Sequence, residues 1–220
     1  MKTSVDSILS GEIKVFGPKG ELSAYCKSGI DGPVNLGWQG LEPDHQADRA
    51  NHGGDDKALL QYCSEHYHYW IKQRPEHAVL LQKIGAFGEN ISAQEMHEEN
   101  VFIGDRFQIG DAIVEVSQGR QPCWKLGHFF SDQSMVKAVV DTAKGGWYYR
   151  VIETGHIAVD SSIELLDRPF PNMSVKKAFD VLVARKKDRQ ALEQLVEIPA
   201  LSKTWAARAK KMNLRYQSDT

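Results

Sequence analysis

Residues 112–126 read Ala112-Ile113-Val114-Glu115-Val116-Ser117-Gln118-Gly119-Arg120-Gln121-Pro122-Cys123-Trp124-Lys125-Leu126. The run from Ala112 to Val116 is rich in β-branched residues and predicts a strand. The chain must turn soon after it, because Pro122 restricts the local backbone. We therefore expect Cys123 to lie on a constrained loop at the end of a β-strand.

Further short strand patterns, separated by glycine and proline, lie on both sides of this stretch. They comprise Ile13–Val15, Lys57–Tyr62, Val101–Ile109, Trp147–Ile152 and Ser162–Leu166. The Val101–Ile109 segment is predicted to be a hairpin that turns at Gly104-Asp105. Many short strands with turn signals between them predict a mainly β fold, either a barrel or a sandwich.

Two helices are predicted to interrupt the strands. The first covers about residues 65–74 and ends before Pro75, which cannot continue a helix. The second covers about residues 132–144 and ends at Gly145-Gly146.

The character of the sequence changes after Pro171. Ser174, Asp188 and Ser202 can each cap a short amphipathic helix. We therefore predict a domain over residues 1–170 and a small three-helix unit over residues 171–220.

Composition limits the classes of function. The 220 residues are 41% hydrophobic and 25% charged with a net charge of −2, which is typical of a globular protein and offers no strongly basic surface for nucleic acid. No apolar run is long enough for a signal peptide or a membrane span. The sequence therefore predicts a cytoplasmic protein that binds neither nucleic acid nor membrane.

The cysteines are Cys26, Cys63 and Cys123, an odd number without a Cys-x-x-Cys pair, which favours reduced thiols. Cys26 and Cys63 lie among apolar residues and are predicted to be buried packing residues. Cys123 has Arg120 and Lys125 close by, and these cations would favour the thiolate that binds metals or attacks electrophiles. Taken alone, Cys123 could equally be a buried apolar residue.

Four motifs occur in a fixed order along the chain, and the last of them contains the cysteine loop. They are Asn51-His52-Gly53-Gly54-Asp55-Asp56-Lys57-Ala58, Phe87-Gly88-Glu89-Asn90-Ile91, Ile103-Gly104-Asp105-Arg106-Phe107, and Glu115-Val116-Ser117-Gln118 leading to Gln121-Pro122-Cys123-Trp124-Lys125-Leu126. Together they resemble the MOSC domain, named after the C-terminal part of molybdenum cofactor sulfurases. The resemblance is to the branch called YiiM, which also carries a C-terminal three-helix unit.

The resemblance implies a MOSC-type β-barrel with inserted helices and a molybdenum cofactor, a metal held by a pyranopterin. It implies that Cys123 is the catalytic residue and the metal ligand of an oxidoreductase that reduces N-hydroxylated compounds, such as hydroxylaminopurines, hydroxylamines and amidoximes, and so detoxifies N-hydroxylated bases. No flavin, haem or iron–sulfur motif is present, so a separate reductase, of flavin type, is expected to deliver the electrons. Two alternatives stay open: Cys123 could carry sulfur as a persulfide, or the protein could be an interaction module that uses its tail.

The motifs also supply candidate cofactor-binding residues. A phosphate group needs backbone N–H groups and cations, and a pterin edge needs amide-type partners. The candidates are His52, Gly53, Gly54, Lys57, Asn90, Gln118, Arg120 and Lys125. His52 could instead cap a turn, Asn90 could stabilise a loop, and Lys57 and Lys125 could be solvated surface charges.

One residue departs from the family pattern, and the tail carries a separate feature. Gly119 stands where the family usually has proline, which predicts a looser cysteine loop. Basic clusters at Arg185–Lys187 and Arg208–Lys211 suggest that the tail docks the electron donor and stands apart from the active site. Otherwise the tail covers one end of the barrel or forms the contact of a homodimer.

Overall fold

A computed structural model describes residues 1–48 and 52–218 of the chain. Within these residues the strands are β1 Lys2–Ser4, β2 Ser7–Ser10, β3 Lys14–Val15, β4 Leu22–Ser23, β5 Ser28–Gly29, β6 Val34–Gly37, β7 Gly40–Leu41, β8 Leu59–Cys63, β9 Ile91–Ala93, β10 Arg106–Ile109, β11 Ala112–Gly119, β12 Trp147–Glu153, β13 Gly155–Ile157 and β14 Ser162–Asp167. The α-helices are α1 Glu65–Gln73, α2 Ala78–Leu81, α3 Trp124–Phe129, α4 Ser134–Thr142, α5 Val175–Leu182, α6 Arg189–Val196 and α7 Lys203–Ser218. Short 3₁₀ helices cover Asp55–Lys57 and Pro75–His77.

The main sheet has nine strands in the order β1-β14-β10-β11-β12-β8-β9-β2-β5. Its centre is the antiparallel run of β10, β11 and β12, and β8 pairs with β9 in parallel. Strand β10 alternates exposed and buried residues, as expected for a strand with one face on the core. The predicted strands at 112–116, 147–152 and 162–166 are confirmed.

The predicted β-barrel is confirmed only in part, because the sheet does not close into a continuous barrel. Strands β1 and β5 are the two edges of the sheet and do not pair with each other. The segment between β1 and β2 instead links the two halves of the sheet, because the Val5 N–H donates to the carbonyl of Ser161, next to β14 (3.0 Å), and the Asp6 N–H donates to the carbonyl of Ser92 in β9 (2.8 Å). The sheet is therefore curled and bridged by one short segment, but no continuous ladder closes it.

The predicted hairpin over Val101–Ile109 is wrong. Strand β10 begins only at Arg106, and its hairpin with β11 turns at Gly110-Asp111. Asp105 does close a local turn, since its carboxylate accepts the Phe102 N–H (3.0 Å). The same carboxylate is buried and accepts two hydrogen bonds from Arg168 (2.9 and 2.7 Å), a partner that the local pattern could not reveal.

The inserted helices are confirmed in place, with different bounds. Helix α1 ends just before Pro75, as predicted. Helix α4 stops earlier than Gly145, because Ala143 adopts a left-handed conformation (φ 59°). Helix α3 was not predicted, since a six-residue helix is too short to show a clear period.

The C-terminal unit of three helices is confirmed, and all three predicted caps form, including the Ser202 hydroxyl, which accepts the Trp205 N–H (3.2 Å). The Ser174 hydroxyl accepts the Lys177 N–H (3.1 Å), and the Asp188 carboxylate accepts the Ala191 N–H (2.9 Å). The apolar faces of α5, α6 and α7 join the same continuous core as the sheet.

Gly119 has a role in packing that was not predicted from the sequence. It ends strand β11, and a Cβ built there would lie 3.0 Å from Trp205, 3.2 Å from Val175 and 3.3 Å from Phe179. The missing side chain lets α5 and α7 pack directly on the strand. The glycine therefore allows close packing of the helices on the strand, and the looser cysteine loop stays a prediction.

Candidate functional site

Cys123 lies between β11 and α3, with its backbone in an extended conformation, and is half-buried. The loop that carries it is fixed at both ends. The Arg120 N–H donates to the Gly146 carbonyl (2.8 Å), and the Leu126 N–H donates to the Cys123 carbonyl (3.1 Å). The sequence-based prediction that the cysteine is presented at the end of the strongest strand is confirmed.

The surroundings of Cys123 favour its thiolate. Burial acts to raise the pKa of Cys123, but a hydrogen bond with the His52 side chain, the positive charge of Arg120 and the Lys125 N–H together lower the pKa to about 7. The other cysteines differ: burial raises the pKa of Cys63 to about 12 and also raises that of Cys26. Cys63 is buried as predicted, whereas Cys26 is exposed, so the prediction for Cys26 was wrong.

Arg120 is almost fully buried, with 4% of its surface exposed, and it lines the cleft that contains Cys123. Its Nη2 donates to the Phe87 carbonyl (3.1 Å). Its Nη1 has no hydrogen-bond partner among the described residues. A buried guanidinium with an unused donor is costly, so this atom calls for an acceptor from a bound group.

The motif Asn51–Ala58 contributes polar side chains to the cleft, but its glycines do not line it. His52 and Lys57 both line the cleft beside Cys123. Gly54 has a positive φ (87°) and leads into the 3₁₀ helix, and neither Gly53 nor Gly54 is among the residues that line the cleft. Asn51, the first residue of the motif, lies outside the described residues. The motif is therefore a bend that brings His52 and Lys57 to the site.

The two amide candidates are already engaged within the protein. The Asn90 side chain accepts the Leu60 N–H (3.1 Å) and donates to Asp44 (2.8 Å), although it lines the cleft. The Gln118 amide accepts a hydrogen bond from the Thr204 hydroxyl (3.2 Å) and borders the mouth of the cleft. Lys125 is buried and lines the cleft, so it is not a solvated surface charge.

Sequence reasoning missed one wall of the cleft. Tyr25, Lys27 and Asp44 come from the region between β4 and β8. The Lys27 ammonium lies 2.5 Å from the Asp44 carboxylate, and both side chains are buried. These residues are far from Cys123 in sequence and carry no local motif, so only the fold brings them there.

Helix α7 forms part of the mouth of the cleft. Thr204, Trp205 and Arg208 line the space beside Cys123, and Arg208 donates to the Gln121 side chain (2.9 Å). The expectation that the tail stands apart from the active site was wrong. The helix packs there because Gly119 leaves room for Trp205.

We expect alkylation of Cys123 by iodoacetamide to accelerate through a midpoint at about pH 7, because only the thiolate reacts and its fraction grows as the pH rises through the pKa. His52→Ala should move this midpoint to higher pH, since it removes a hydrogen bond that favours the thiolate. Peptide mapping by mass spectrometry follows each cysteine separately. Cys26 provides the internal reference, and an unchanged midpoint in His52→Ala would contradict the role given to His52.

Comparison with known proteins agrees with this geometry. The family model "MOSC domain" matches residues 48–164, and the model "YiiM-like, 3-alpha helix domain" matches residues 173–212. Protein YiiM of Escherichia coli is 37% identical over 214 residues, which cover 97% of this chain and 94% of that protein. A protein of Gibberella moniliformis named "Reductase" is 37% identical over 194 residues, which cover 87% of this chain and 34% of that protein.

The fold has the same relatives. The crystal structure of YiiM from Escherichia coli superimposes with a TM-score of 0.81 at 31% sequence identity, covering 98% of this chain and 94% of that one.

Among the described residues no helix is both long and apolar enough to span a membrane.

Proposed function

This chain belongs to the MOSC-domain family, in the branch with a YiiM-like three-helix domain, and on this premise we propose that it is a molybdenum cofactor-dependent oxidoreductase that reduces N-hydroxylated compounds. One observation carries the proposal. Cys123 presents a thiolate with a pKa of about 7 in a cleft that is lined by cationic side chains. A soft thiolate is a suitable ligand for molybdenum.

The described residues fit an anionic cofactor. Arg120 has a buried donor without a protein partner, and Lys57 and Lys125 line the same cleft. Burial lowers the pKa of the Lys57 ammonium, against the opposing charges of Asp56 and Asp48, so a bound phosphate would compensate for its desolvation. These three cations would hold the phosphate and the polar edge of the pterin, and Cys123 would hold the metal.

When bound, the cofactor supplies a metal centre that exchanges two electrons and accepts an oxygen atom. The overall reaction takes R–NH–OH with two electrons and two protons to R–NH₂ and water. The chain's own contribution is to keep Cys123 in its thiolate form, through His52 and Arg120, and to shield this side chain partly from solvent. Tyr25 and Phe87 form apolar walls that limit access of bulk water to the cleft.

The electrons come from a separate reductase in this proposal. The relative named "Reductase" has a region like this chain in only 34% of its length, so most of that protein has no counterpart here. In this proposal, a separate partner supplies to this chain what the additional length supplies in that relative. The exposed Lys210 and Lys211 on α7, one turn beyond the cleft residue Arg208, offer a basic surface for such a partner.

A sulfur carrier is the second candidate, because the same thiolate could form a persulfide. Metal analysis separates the two functions. Protein purified without oxygen should contain molybdenum close to one equivalent and should reduce a hydroxylaminopurine or an amidoxime with a reduced viologen as the electron source. Molybdenum-free protein that carries a persulfide on Cys123 would favour the sulfur carrier.

We expect Arg120→Ala to lower cofactor occupancy by about tenfold or more, because hydrogen bonds to a charged group contribute ~1.5–3 kcal/mol. Turnover per bound molybdenum should change much less, since a contact to the cofactor acts equally in the ground state and the transition state. Molybdenum content and the viologen-coupled rate measure the two effects. Arg208→Ala, at the mouth of the cleft, is the matched control and should keep its molybdenum. Full occupancy with slow turnover in Arg120→Ala would instead indicate contact with the substrate.

A further inference from the structure

A second group of ligand-type side chains lies at the far end of β8 from the catalytic cleft. Leu60 lines the cleft, whereas Cys63 ends the strand, His66 lies in the first turn of α1, and His97 follows β9. One potential ligand atom from each of Cys63, His66 and His97 lies within 4.8 Å of the others. The three residues come from two segments that the parallel pairing of β8 and β9 brings together.

The separations suit a small cation with sulfur and nitrogen ligands. Cys63 Sγ lies 3.3 Å from His97 Nδ1 and 3.7 Å from Glu65 Oε2. Zn–S and Zn–N bonds of about 2.3 and 2.0–2.1 Å place tetrahedral donors about 3.5 Å apart. Little rearrangement would therefore bring these atoms around one ion.

A buried carboxylate fixes the His66 ring in the way that is usual for metal-binding histidines. Its Nε2 lies 2.7 Å from the Glu98 carboxylate, and Glu98 is buried and also accepts the Gly146 N–H (2.8 Å). A carboxylate on one ring nitrogen fixes the tautomer and leaves the lone pair of the other nitrogen for a metal. Here that other atom is His66 Nδ1.

Two charged groups face the cluster. The Glu65 carboxylate lies on its exposed rim, 3.2 Å from His97 Nε2, where it orients the His97 ring so that Nδ1 faces Cys63. The Lys144 ammonium lies 3.4 Å from His66 Nδ1 and 5.1 Å from the centre of the Tyr69 ring. The Lys144 ammonium occupies the lone pair of His66 Nδ1 that a metal would use, so the ammonium and a metal ion would compete for His66.

We propose that Cys63, His66 and His97 bind a Zn²⁺ ion, with a water molecule in the fourth position, at a site separate from Cys123. Binding breaks the Cys63 S–H bond, releases that proton to solvent and forms the S–Zn bond. The site joins the end of β8, the start of α1 and the loop after β9. Through Glu98 and Gly146, whose carbonyl accepts the Arg120 N–H, it also supports the backbone of the catalytic loop.

The test uses the full chain with Cys26→Ser and Cys123→Ser, so that Cys63 is the only thiol left. Titration with Co²⁺, a spectroscopic substitute for Zn²⁺, should give one equivalent of a tetrahedral complex with a thiolate-to-cobalt charge-transfer band. Zn²⁺ should displace it and raise the Tm. Because Cys63→Ala removes a buried residue and could fail to fold, His97→Ala on the rim is the decisive variant, and it should lose the band.

Two more variants sharpen the result. Glu98→Gln should weaken binding by about 10- to 100-fold, as loss of an outer partner of a ligating histidine usually does. Lys144→Met should tighten binding, because it removes the competing ammonium. The absence of a charge-transfer band in the Cys26→Ser, Cys123→Ser protein, or a band that survives His97→Ala, would overturn the proposal.

Discussion

Replacing Cys123 with serine should abolish the reduction of N-hydroxylated compounds and leave the purified protein without molybdenum. Among the described residues that line the cleft, Cys123 supplies the one soft ligand, whereas a serine hydroxyl stays protonated at neutral pH and binds the metal poorly. The fold should be unaffected, because Cys123 is half-buried on a loop that backbone hydrogen bonds hold in place. We expect the Tm of the cofactor-free proteins to differ by less than about 2 °C.

Three measurements check this expectation: molybdenum content, the viologen-coupled rate and thermal unfolding of both proteins without cofactor. Cys26→Ser is the matched control, because it makes the same one-atom change at an exposed cysteine outside the cleft. It should keep both molybdenum and activity. An active Cys123→Ser protein with bound molybdenum would show that another residue holds the metal.

The cysteine loop could be predicted because its determinants are local. A strand pattern, a proline and two cations within a few residues of Cys123 are visible in the sequence, and the structure brings Arg120 and Lys125 to the cleft. The opposite wall could not be predicted in this way. The Lys27–Asp44 ion pair and Tyr25 reach the cleft only through the curled sheet, and no short pattern encodes that approach.

The fold prediction likewise succeeded where the determinants are local in sequence and failed where they are not. Helix caps and the longer strands depend on neighbouring residues, and β11, β12, β14 and the caps of the C-terminal helices were predicted correctly, whereas short strands such as β1, β2 and β9 were not. Closure of the sheet depends on how its two edges meet, which is a property of the whole chain. The N-terminal segment links β14 and β9 with single hydrogen bonds from Val5 and Asp6, and nothing in its composition distinguishes that from a closed ladder.

The three C-terminal helices illustrate a further limit of sequence reasoning. Their caps and apolar faces resemble those of an independent unit, yet each helix is short and needs a surface to pack against. That surface is β11 and the segment before β10. The Val175 N–H donates to the Val101 carbonyl (2.8 Å), and the Ser202 N–H donates to the Ser117 carbonyl (2.9 Å).

A chain truncated after Pro171 should therefore fail to fold stably and should bind no molybdenum. The truncation removes Val175, Phe179 and Trp205, which are buried against Gly119. Full burial of one such side chain contributes ~1.5–3 kcal/mol, so loss of several exceeds much of the ~5–15 kcal/mol that stabilises a typical domain. Solubility, thermal unfolding and molybdenum content measure the effect. A truncated chain that unfolds cooperatively and keeps its molybdenum would show that the helices are an independent domain.

Because truncation is expected to destroy the fold, electron-donor docking has to be tested with substitutions that leave the fold intact. Lys210→Glu with Lys211→Glu reverses two exposed charges on α7 without touching the core. The Tm and the viologen-coupled rate should stay unchanged. The rate with the natural reductase should fall severalfold at low salt, and the difference should shrink as salt screens the charges. The matched control is Lys2→Glu, which changes an exposed lysine on β1, a strand at the edge of the sheet. If the donor reacts equally fast with the α7 variant, the reductase docks elsewhere, and α7 serves only to pack on β11 and line the cleft.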